Sequence, residues 1–171
     1  MEIKLVKTKE DELLQIAEMA ELIWKKYYIE IISIHQIDYM LYKFYSEEAL
    51  KSQIKIGQDF YFIKHQSEIL GFISYSQKAD SVYFIHKFYI LPNQHRQNLG
   101  SLAMQEIEKE IIDSNKNRNY KLKLTVNRKN FKAINFYFKN GFMIESVEDF
   151  DIGESYLMND FVMTKTVKNS F

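Results

Sequence analysis

The hydrophobic positions change period along the chain, and this change separates helical from extended segments. Between residues 11 and 28, apolar side chains recur at spacings of three and four, which is typical of an amphipathic helix. Thr8 is a predicted N-cap of this helix, and Asp11 completes a weak capping box three residues later. A second helical pattern covers residues 33–53 and is predicted to break near Ser46.

After Gly57 the pattern becomes extended. Two runs rich in aromatic and β-branched residues, separated by a short polar segment, predict a hairpin. The predicted strands are 2–6, 60–63, 69–75, 81–91, 121–126, 142–147 and 161–167, and the predicted later helices are 98–113 and 130–139. Asn140 and Gly141 are expected to end the last helix in a left-handed conformation.

This element order, β-α-α-β-β-β-α-β-α-β-β, predicts an α/β fold with a mixed α+β sheet. The two βα units in the middle of the chain predict neighbouring parallel strands there. A length of 171 residues is enough for one domain with a sizeable core. Because no repeat, low-complexity tract or linker interrupts the pattern, we expect residues 1–171 to form a single domain.

The amino-acid composition argues against several classes of function. Lysine plus arginine and aspartate plus glutamate balance at 23 each, so no net field favours nucleic acid or an anionic membrane as a partner. The chain has no cysteine, which excludes disulfides and thiolate catalysis, and its four histidines lack metal-ligand spacing, so no metal is expected. No apolar run approaches about 18 residues, and a soluble cytoplasmic protein is therefore expected.

The first candidate site is the polar turn that follows the strand ending at Leu91 and leads directly into a helix. Backbone N–H groups and a helix N-terminus directed at one point can hold a phosphate or pyrophosphate. Gly100 allows close backbone approach, and Asn98 tolerates a left-handed conformation. His95 and Arg96 can add donors to phosphate oxygens. The alternative is an ordinary strand-to-helix turn with asparagine as the cap.

The second candidate site is the predicted helix 130–139. Asn130 begins it, and Tyr137 lies seven residues later on the same face, two turns along. A tyrosine can act as general acid when the proton goes to a basic leaving group such as a thiolate. The alternatives are that Asn130 is only an N-cap and that Tyr137 is a packed core aromatic.

Residues 92–104 and 130–142 resemble the two signature motifs of the GNAT superfamily of acetyl-CoA-dependent N-acetyltransferases. The second motif, Asn-x-x-Ala-x-x-Phe-Tyr-x-x-x-Gly-Phe, is specific and is matched by Asn130, Ala133, Phe136, Tyr137, Gly141 and Phe142. The first motif is degenerate here. His95 stands where the family usually has arginine or glutamine, and Asn98 replaces the first glycine, whereas Gly100 is retained. We expect these departures to tune the affinity for the coenzyme.

The resemblance implies a GNAT-like acyl-CoA N-acyltransferase fold, with acetyl-CoA as cosubstrate and without a metal. It implies that a strand splayed from its neighbour holds the acetyl and pantetheine parts, and that the turn with the helix start holds the pyrophosphate. Tyr137 would protonate the departing thiolate. The residues that it implies for coenzyme binding are Phe88, Tyr89, Ile90, His95, Arg96, Gln97, Asn98, Leu99, Gly100, Ser101, Asn130 and Tyr137.

His86 is the candidate general base. It lies two residues before Phe88, where several members of the family have a glutamate, and histidine suits this task by its intrinsic pKa. The alternation along the strand leaves open which face His86 occupies. The alternative is a structural or solvent-facing histidine.

The acceptor is expected to be a small-molecule amine that the coenzyme-bound thioester acetylates directly. Trp24, Tyr27 and Tyr28 are candidate acceptor-site residues, and aromatic faces combined with an acidic run suit a cationic amine. The acidic run consists of Glu145, Glu148, Asp149, Asp151 and Glu154. The layout is similar to bacterial polyamine and diamine acetyltransferases, and by analogy the family allows a homodimer. The alternatives are a peptide or protein amine acceptor, a non-catalytic coenzyme A-binding module, and an unrelated nucleotide-binding protein.

Overall fold

The computed structural model describes residues 2–94, 98–114 and 119–168. Within these residues, seven strands form a mixed sheet in the order β1-β2-β3-β4-β5-β7-β6. The strands are β1 (Lys4–Lys7), β2 (Asp59–His65), β3 (Glu68–Ala79), β4 (Val82–Ile90), β5 (Tyr120–Asn127), β6 (Met143–Gly153) and β7 (Tyr156–Val167). The α-helices are α1 (Leu13–Tyr27), α2 (Ile34–Tyr45), α3 (Glu47–Lys55), α4 (Leu99–Ser114) and α5 (Phe131–Lys139). The mixed α/β architecture expected from the element order is confirmed.

The chain forms two compact units. The first unit combines Met1–Ser76 with Lys87–Ile107, and the second unit combines Gln77–His86 with Glu108–Phe171. The hairpin of β3 and β4 contributes residues to both units, and so does α4. The single-domain expectation stays a prediction. None of the described helices has the length and hydropathy needed to cross a membrane.

The first unit is organised around β2 and β3, which are buried on both faces. β1, β2 and β3 are antiparallel, with Leu5 opposite Ile63 and Phe62 opposite Phe72. Every residue of β3 from Leu70 to Ser76 is buried, although their side chains alternate between the two faces. Continuous burial of this kind means that both sides of the sheet are covered. The core side chains that the helices of this unit contribute include Leu13, Ile16, Ile37 and Leu50.

Local capping chemistry sets the boundaries of α2 and α3. Ser33 accepts a hydrogen bond from the Gln36 N–H, and Ser46 accepts one from the Ala49 N–H, at 3.2 Å and 3.3 Å. The predicted break near Ser46 is therefore confirmed. The predicted cap at Thr8 is wrong, because the Thr8 hydroxyl donates instead to the Phe60 carbonyl at 3.1 Å.

The second unit has one covered and one open sheet face. β4 runs parallel to β5, with pairs from Val82 opposite Lys121 to Ile85 opposite Leu124, and β7 is antiparallel to both β5 and β6. Buried and partly exposed residues alternate along β5, so one face packs against the core and the other faces outward. The outward face of β5 carries polar side chains.

β6 ends six residues later than the predicted end at residue 147, because pairing with β7 extends it to Gly153. Asp and Glu are unfavourable in strands, and this is why the acidic segment did not look extended. A tight turn joins β6 to β7 through two left-handed residues, Glu154 and Ser155, with φ of 52° and 61°. Such a turn matches the twist of a two-stranded ribbon and fixes the pairing register.

Lys87 is a charged side chain in the core of the first unit. It is 8% exposed, and its Nζ donates to the Gln53 side-chain oxygen at 2.5 Å. The same Nζ lies 5.1 Å from the ring centroid of Tyr45 and 5.3 Å from that of Phe60. Burial lowers the pKa of Lys87 to about 7, because the charged ammonium group loses its contact with water. Gln53 in turn donates to the Phe44 carbonyl at 2.9 Å, which ties β4 to α2 and α3.

We expect the free energy of unfolding to rise with pH above neutrality because of Lys87. The folded chain releases the Lys87 proton near a pKa of about 7, whereas the unfolded chain keeps it to about 10.4. Between these values the unfolded state binds more protons, so raising the pH favours folding, with a slope of up to about 1.4 kcal/mol per pH unit. Urea unfolding of the wild type and of Lys87→Met at several pH values measures this slope.

The Lys87→Met variant should lose this rise, because it has nothing to titrate at that position. Lys55→Met is the control, since Lys55 is an exposed lysine at the end of α3 in the same unit. It should keep the wild-type slope. Identical pH profiles for Lys87→Met and the wild type would contradict the assignment.

Candidate active site

Gly71 in β3 lets the β4 backbone approach closely at Tyr89 and Ile90. A Cβ at residue 71 would lie 2.1 Å from the Tyr89 carbonyl oxygen and 3.0 Å from the Ile90 Cα. Both separations are far below van der Waals contact, and backbone atoms in a packed sheet cannot turn aside as a side chain can. Next to this contact, the Leu91 N–H donates to the Leu70 carbonyl at 2.9 Å. Only glycine therefore allows the present position of the strand segment that was predicted to hold the coenzyme.

An aromatic cluster surrounds the Tyr89 side chain in the first unit. Trp24 stacks on Tyr28 with ring centroids 4.6 Å apart and lies 6.4 Å from the Tyr89 ring. Tyr45 meets Trp24 edge-on at 5.8 Å, and Phe72 lies 5.4 Å from Tyr89. Two predicted acceptor-site residues, Trp24 and Tyr28, are thus brought together with a predicted coenzyme-site residue.

Two phenols of this cluster, those of Tyr45 and Tyr89, stay protonated. Burial raises the pKa of Tyr89 well above its ordinary value, and the neighbouring Tyr28 and Tyr45 phenols raise it further. Burial likewise raises the pKa of Tyr45. These two side chains can therefore orient a ligand through hydroxyl groups and aromatic faces, but they cannot supply a base at neutral pH. Tyr27, the third predicted acceptor-site residue, is the partly exposed last residue of α1.

The turn before α4 has the backbone geometry expected for an anion site. Asn98 has φ of 65°, the left-handed conformation predicted for it, and α4 begins at Leu99. The Leu102 N–H donates to the Asn98 carbonyl at 2.9 Å, so the helix starts directly after the turn. The first N–H groups of a helix have no partner within the helix and can donate to a phosphate. Gly100 and Ser101 lie in this first turn, whereas His95, Arg96 and Gln97 lie outside the described residues.

In the second unit, Asn130 precedes α5 as its N-cap and Tyr137 lies on the helix. The Asn130 side-chain oxygen accepts from the Ala133 N–H at 3.1 Å, so Asn130 is an N-cap. This role uses its oxygen, and the side-chain NH₂ is the group that can donate to a ligand. Tyr137 is 8% exposed, and its ring lies 5.5 Å from that of Phe142. Gly141, with φ of 85°, ends the helix in the predicted left-handed conformation.

His86 lies on the outward face of the second unit, which answers the question that alternation left open. Its ring is 4.8 Å from the ring of Phe84, two residues earlier on the same face of β4. Phe84 lines a cavity of about 290 Å³ whose walls come from β4, β5, β6 and β7. The lining residues are Phe84, Lys123, Thr125, Ser146, Glu148, Phe150 and Val162. A ligand in this cavity would share its sheet face with His86.

Asp160 is a buried carboxyl on the same face, and the sequence analysis did not single it out. It is 4% exposed and lies opposite Asn127 in the β5–β7 pairing. Burial raises the pKa of Asp160 to about 6, and a hydrogen bond from Thr125 and the charge of Arg128 limit the increase. Its position directly before the apolar run Phe161–Met163 of a predicted strand was the available signal.

Lys87 and Gly71 were also missed. Lys87 alternates with Ile85 and Tyr89, and a charged residue at a buried strand position is informative. Gly71 interrupts an apolar strand, which can indicate close backbone approach. Among the described residues, no His, Asp and Glu side chains converge as a set of metal ligands.

Comparison with known proteins places these features in a family. A profile described as "Acetyltransferase (GNAT) family" matches residues 16–142. A curated relative, spermidine N(1)-acetyltransferase of Thermoplasma acidophilum, is 28% identical over 170 residues, which is 96% of this chain and 98% of the relative. An uncharacterised N-acetyltransferase of Mycobacterium tuberculosis is 29% identical over 102 residues, which is 60% of this chain and 63% of that protein.

Solved structures show the same fold. The crystal structure of PaiA N-acetyltransferase from Thermoplasma acidophilum in complex with coenzyme A has a TM-score of 0.76 and 27% identity, covering 98% of this chain and 100% of that chain. A GCN5-related N-acetyltransferase from Rhodopseudomonas palustris has a TM-score of 0.77 at 16% identity, covering 98% and 97%. At that lower identity the likeness concerns the fold.

We expect Gly71→Ala to displace β4 at Tyr89, because the new methyl group overlaps the Tyr89 carbonyl. Overpacking that forces backbone shifts costs typically about 1–3 kcal/mol and occasionally more. Trp24 is the single tryptophan of the chain, and its contact with Tyr89 makes its fluorescence a specific reporter of the shift. The measurements are urea unfolding and the native emission spectrum.

Gly57→Ala is the matched control. Gly57 has φ of 89° with nothing within 4 Å of the added Cβ, so only the cost of the left-handed backbone applies, about 1–2 kcal/mol. Its native Trp24 emission should equal that of the wild type. A Gly71→Ala protein with wild-type stability and emission would show that the contact does not constrain β4.

Proposed function

Because the chain belongs to the acetyltransferase (GNAT) family, we propose that it transfers the acetyl group of acetyl-CoA directly to a primary amine of a small molecule, with a polyamine-like acceptor. Acetyl-CoA, when bound, supplies an activated thioester whose carbonyl carbon the amine attacks. The amine nitrogen then carries the acetyl group, the carbon–sulfur bond breaks and the sulfur leaves as a thiolate. The relative named for spermidine supports the choice of a polyamine-like acceptor.

The first unit supports the coenzyme part of the proposal. The backbone of Phe88, Tyr89 and Ile90 would hold the acetyl and pantetheine parts, and its position depends on Gly71. The N–H groups at the start of α4, from Asn98 to Ser101, would hold the pyrophosphate, and the left-handed Asn98 replaces the glycine that the family usually has there. The residues present therefore fit the coenzyme.

The observation that carries the catalytic assignment is the arrangement of α5. Asn130 keeps its NH₂ as a donor for the pantetheine while its oxygen caps the helix. Tyr137, two turns along, would give its phenolic proton to the thiolate. A thiolate is a stronger base than water, so this transfer assists departure. Holding the amine beside the thioester would contribute most of the remaining acceleration.

His86 would accept the proton that the attacking amine loses. Its ordinary pKa is close to neutrality, which suits a general base, and it lies on the outward face beside Phe84. Lys87 is adjacent in sequence, but its Nζ is held in the core by Gln53. His86 is therefore the better candidate base.

An amine panel tests the function. Release of coenzyme A thiol from acetyl-CoA is followed with spermidine, putrescine, lysine and short peptides as acceptors. We expect release with the aliphatic polyamines and little with peptides. Tight coenzyme binding without release on any amine would instead support a non-catalytic coenzyme A-binding module, and preference for peptides would support a protein amine acceptor.

For Tyr137→Phe we expect kcat to fall by about 10²-fold, while KM for acetyl-CoA changes little. The reason is that the variant keeps the ring packing against Phe142 and loses only the proton donor. Steady-state kinetics with both substrates varied measures the two constants.

Tyr120→Phe is the control, since Tyr120 is also buried and its hydroxyl donates to the Glu108 carbonyl at 2.9 Å. Losing this hydroxyl should lower stability and leave kcat unchanged. Equal kcat values in Tyr137→Phe and the wild type would remove Tyr137 from the mechanism.

A further inference from the structure

The cavity on the outward face of the second unit has apolar walls and one acidic rim. Phe84, Phe150 and Val162 supply its apolar surface, and Phe150 stays 38% exposed on β6. Thr125, Ser146 and Glu148 supply its polar groups. A volume of about 290 Å³ is enough for a short alkyl chain with a polar end.

The lysines near the cavity are already paired. Lys121 and Lys123 both donate to the Glu145 carboxylate, at 3.2 Å and 2.7 Å. Glu148 accepts from the Ser146 hydroxyl at 3.0 Å, and among the described residues it forms no ion pair. The Glu148 carboxylate is thus available to a cation.

A second carboxyl increases the negative charge at this rim. Asp160 lies directly opposite Glu148 in the β6–β7 pairing, on the same face. Arg128 pairs with Asp149, the next residue of β6, and its positive charge also acts on Asp160. Lys121 and Lys123 are paired with Glu145, and Arg128 is paired with Asp149, so among the described residues Glu148 keeps a carboxylate to which no cationic side chain is bonded.

We propose that this cavity binds the alkylammonium chain of a diamine or polyamine acceptor, with Glu148 anchoring the ammonium group that does not react. The methylene chain would lie over Phe84 and Phe150, whose ring faces also attract cations. The reacting amine would then point toward His86, beside Phe84. This inference rests on the proposed function and makes Glu148 a specificity-determining residue for acceptors with a second positive charge.

The test is the kinetics of Glu148→Gln with two acceptors of equal chain length, putrescine and butylamine. Removing the charge should raise KM for putrescine about two- to fivefold, as expected for a partly exposed ion pair, with kcat little changed. Butylamine has no second ammonium group, so its KM should not change. KM for putrescine should also rise with salt in the wild type and lose that dependence in Glu148→Gln, because salt screens exposed charges.

Glu154→Gln is the matched control, since it removes one carboxylate from the same hairpin, at the β6–β7 turn outside the cavity. It should leave both KM values and the salt dependence unchanged. Glu148→Asp keeps the charge on a shorter side chain and should retain part of the preference for putrescine. These variants separate a specific anchor from a general effect of net charge.

The outcomes distinguish this inference from the proposed function. Equal changes of KM for putrescine and butylamine, or equal effects of Glu148→Gln and Glu154→Gln, would overturn the anchor while leaving the acetyltransferase proposal intact. If the wild type acetylates no amine, the proposed function fails. Titration calorimetry with spermidine then tests whether the cavity binds a polyamine. Weaker spermidine binding in Glu148→Gln alone would support the anchor, whereas unchanged or undetectable binding in all proteins would overturn it.

Discussion

The close contact between the Gly71 backbone and the Tyr89 carbonyl is the constraint on which the first unit depends. It fixes the end of β4 against β3. The side chains of the neighbouring β4 residues are thereby placed in contact with the helices of the first unit. The Tyr89 ring enters the aromatic cluster with Trp24, and Lys87, two residues earlier, reaches Gln53 of α3. Because protein interiors are closely packed, we expect the addition of one methyl group at residue 71 to affect all of these contacts.

Much of the fold could be predicted because its signals are local. The break at Ser46 and the start of α5 at Asn130 depend on hydrogen bonds to residues three positions away, and such patterns are visible in a sequence. Thr8 was misjudged because its partner, the Phe60 carbonyl, is 52 residues away. The length of β6 depends in the same way on pairing with β7, which overrides the poor strand propensity of its acidic residues.

The residues of the candidate site also divide into those that local patterns indicate and those whose placement depends on contacts distant in sequence. Asn98, Asn130 and Tyr137 could be found because the resemblance rests on their spacing along the chain. The face of His86 could not, since alternation identifies two faces without saying which one is covered, and the pairing of β4 with β5 decides it. Asp160 was missed because the burial that shifts its pKa comes from strands distant in sequence.

β6 is the last strand in the sheet order, and its outer edge offers backbone donors and acceptors to any extended peptide. Exposed apolar residues such as Met143 and Val147 would favour the association of another strand with that edge. Glu148 and Asp151, which form no ion pair among the described residues, oppose this, because a second chain aligned there would bring like charges together. We therefore expect these charges to lower the tendency of the protein to associate edge to edge.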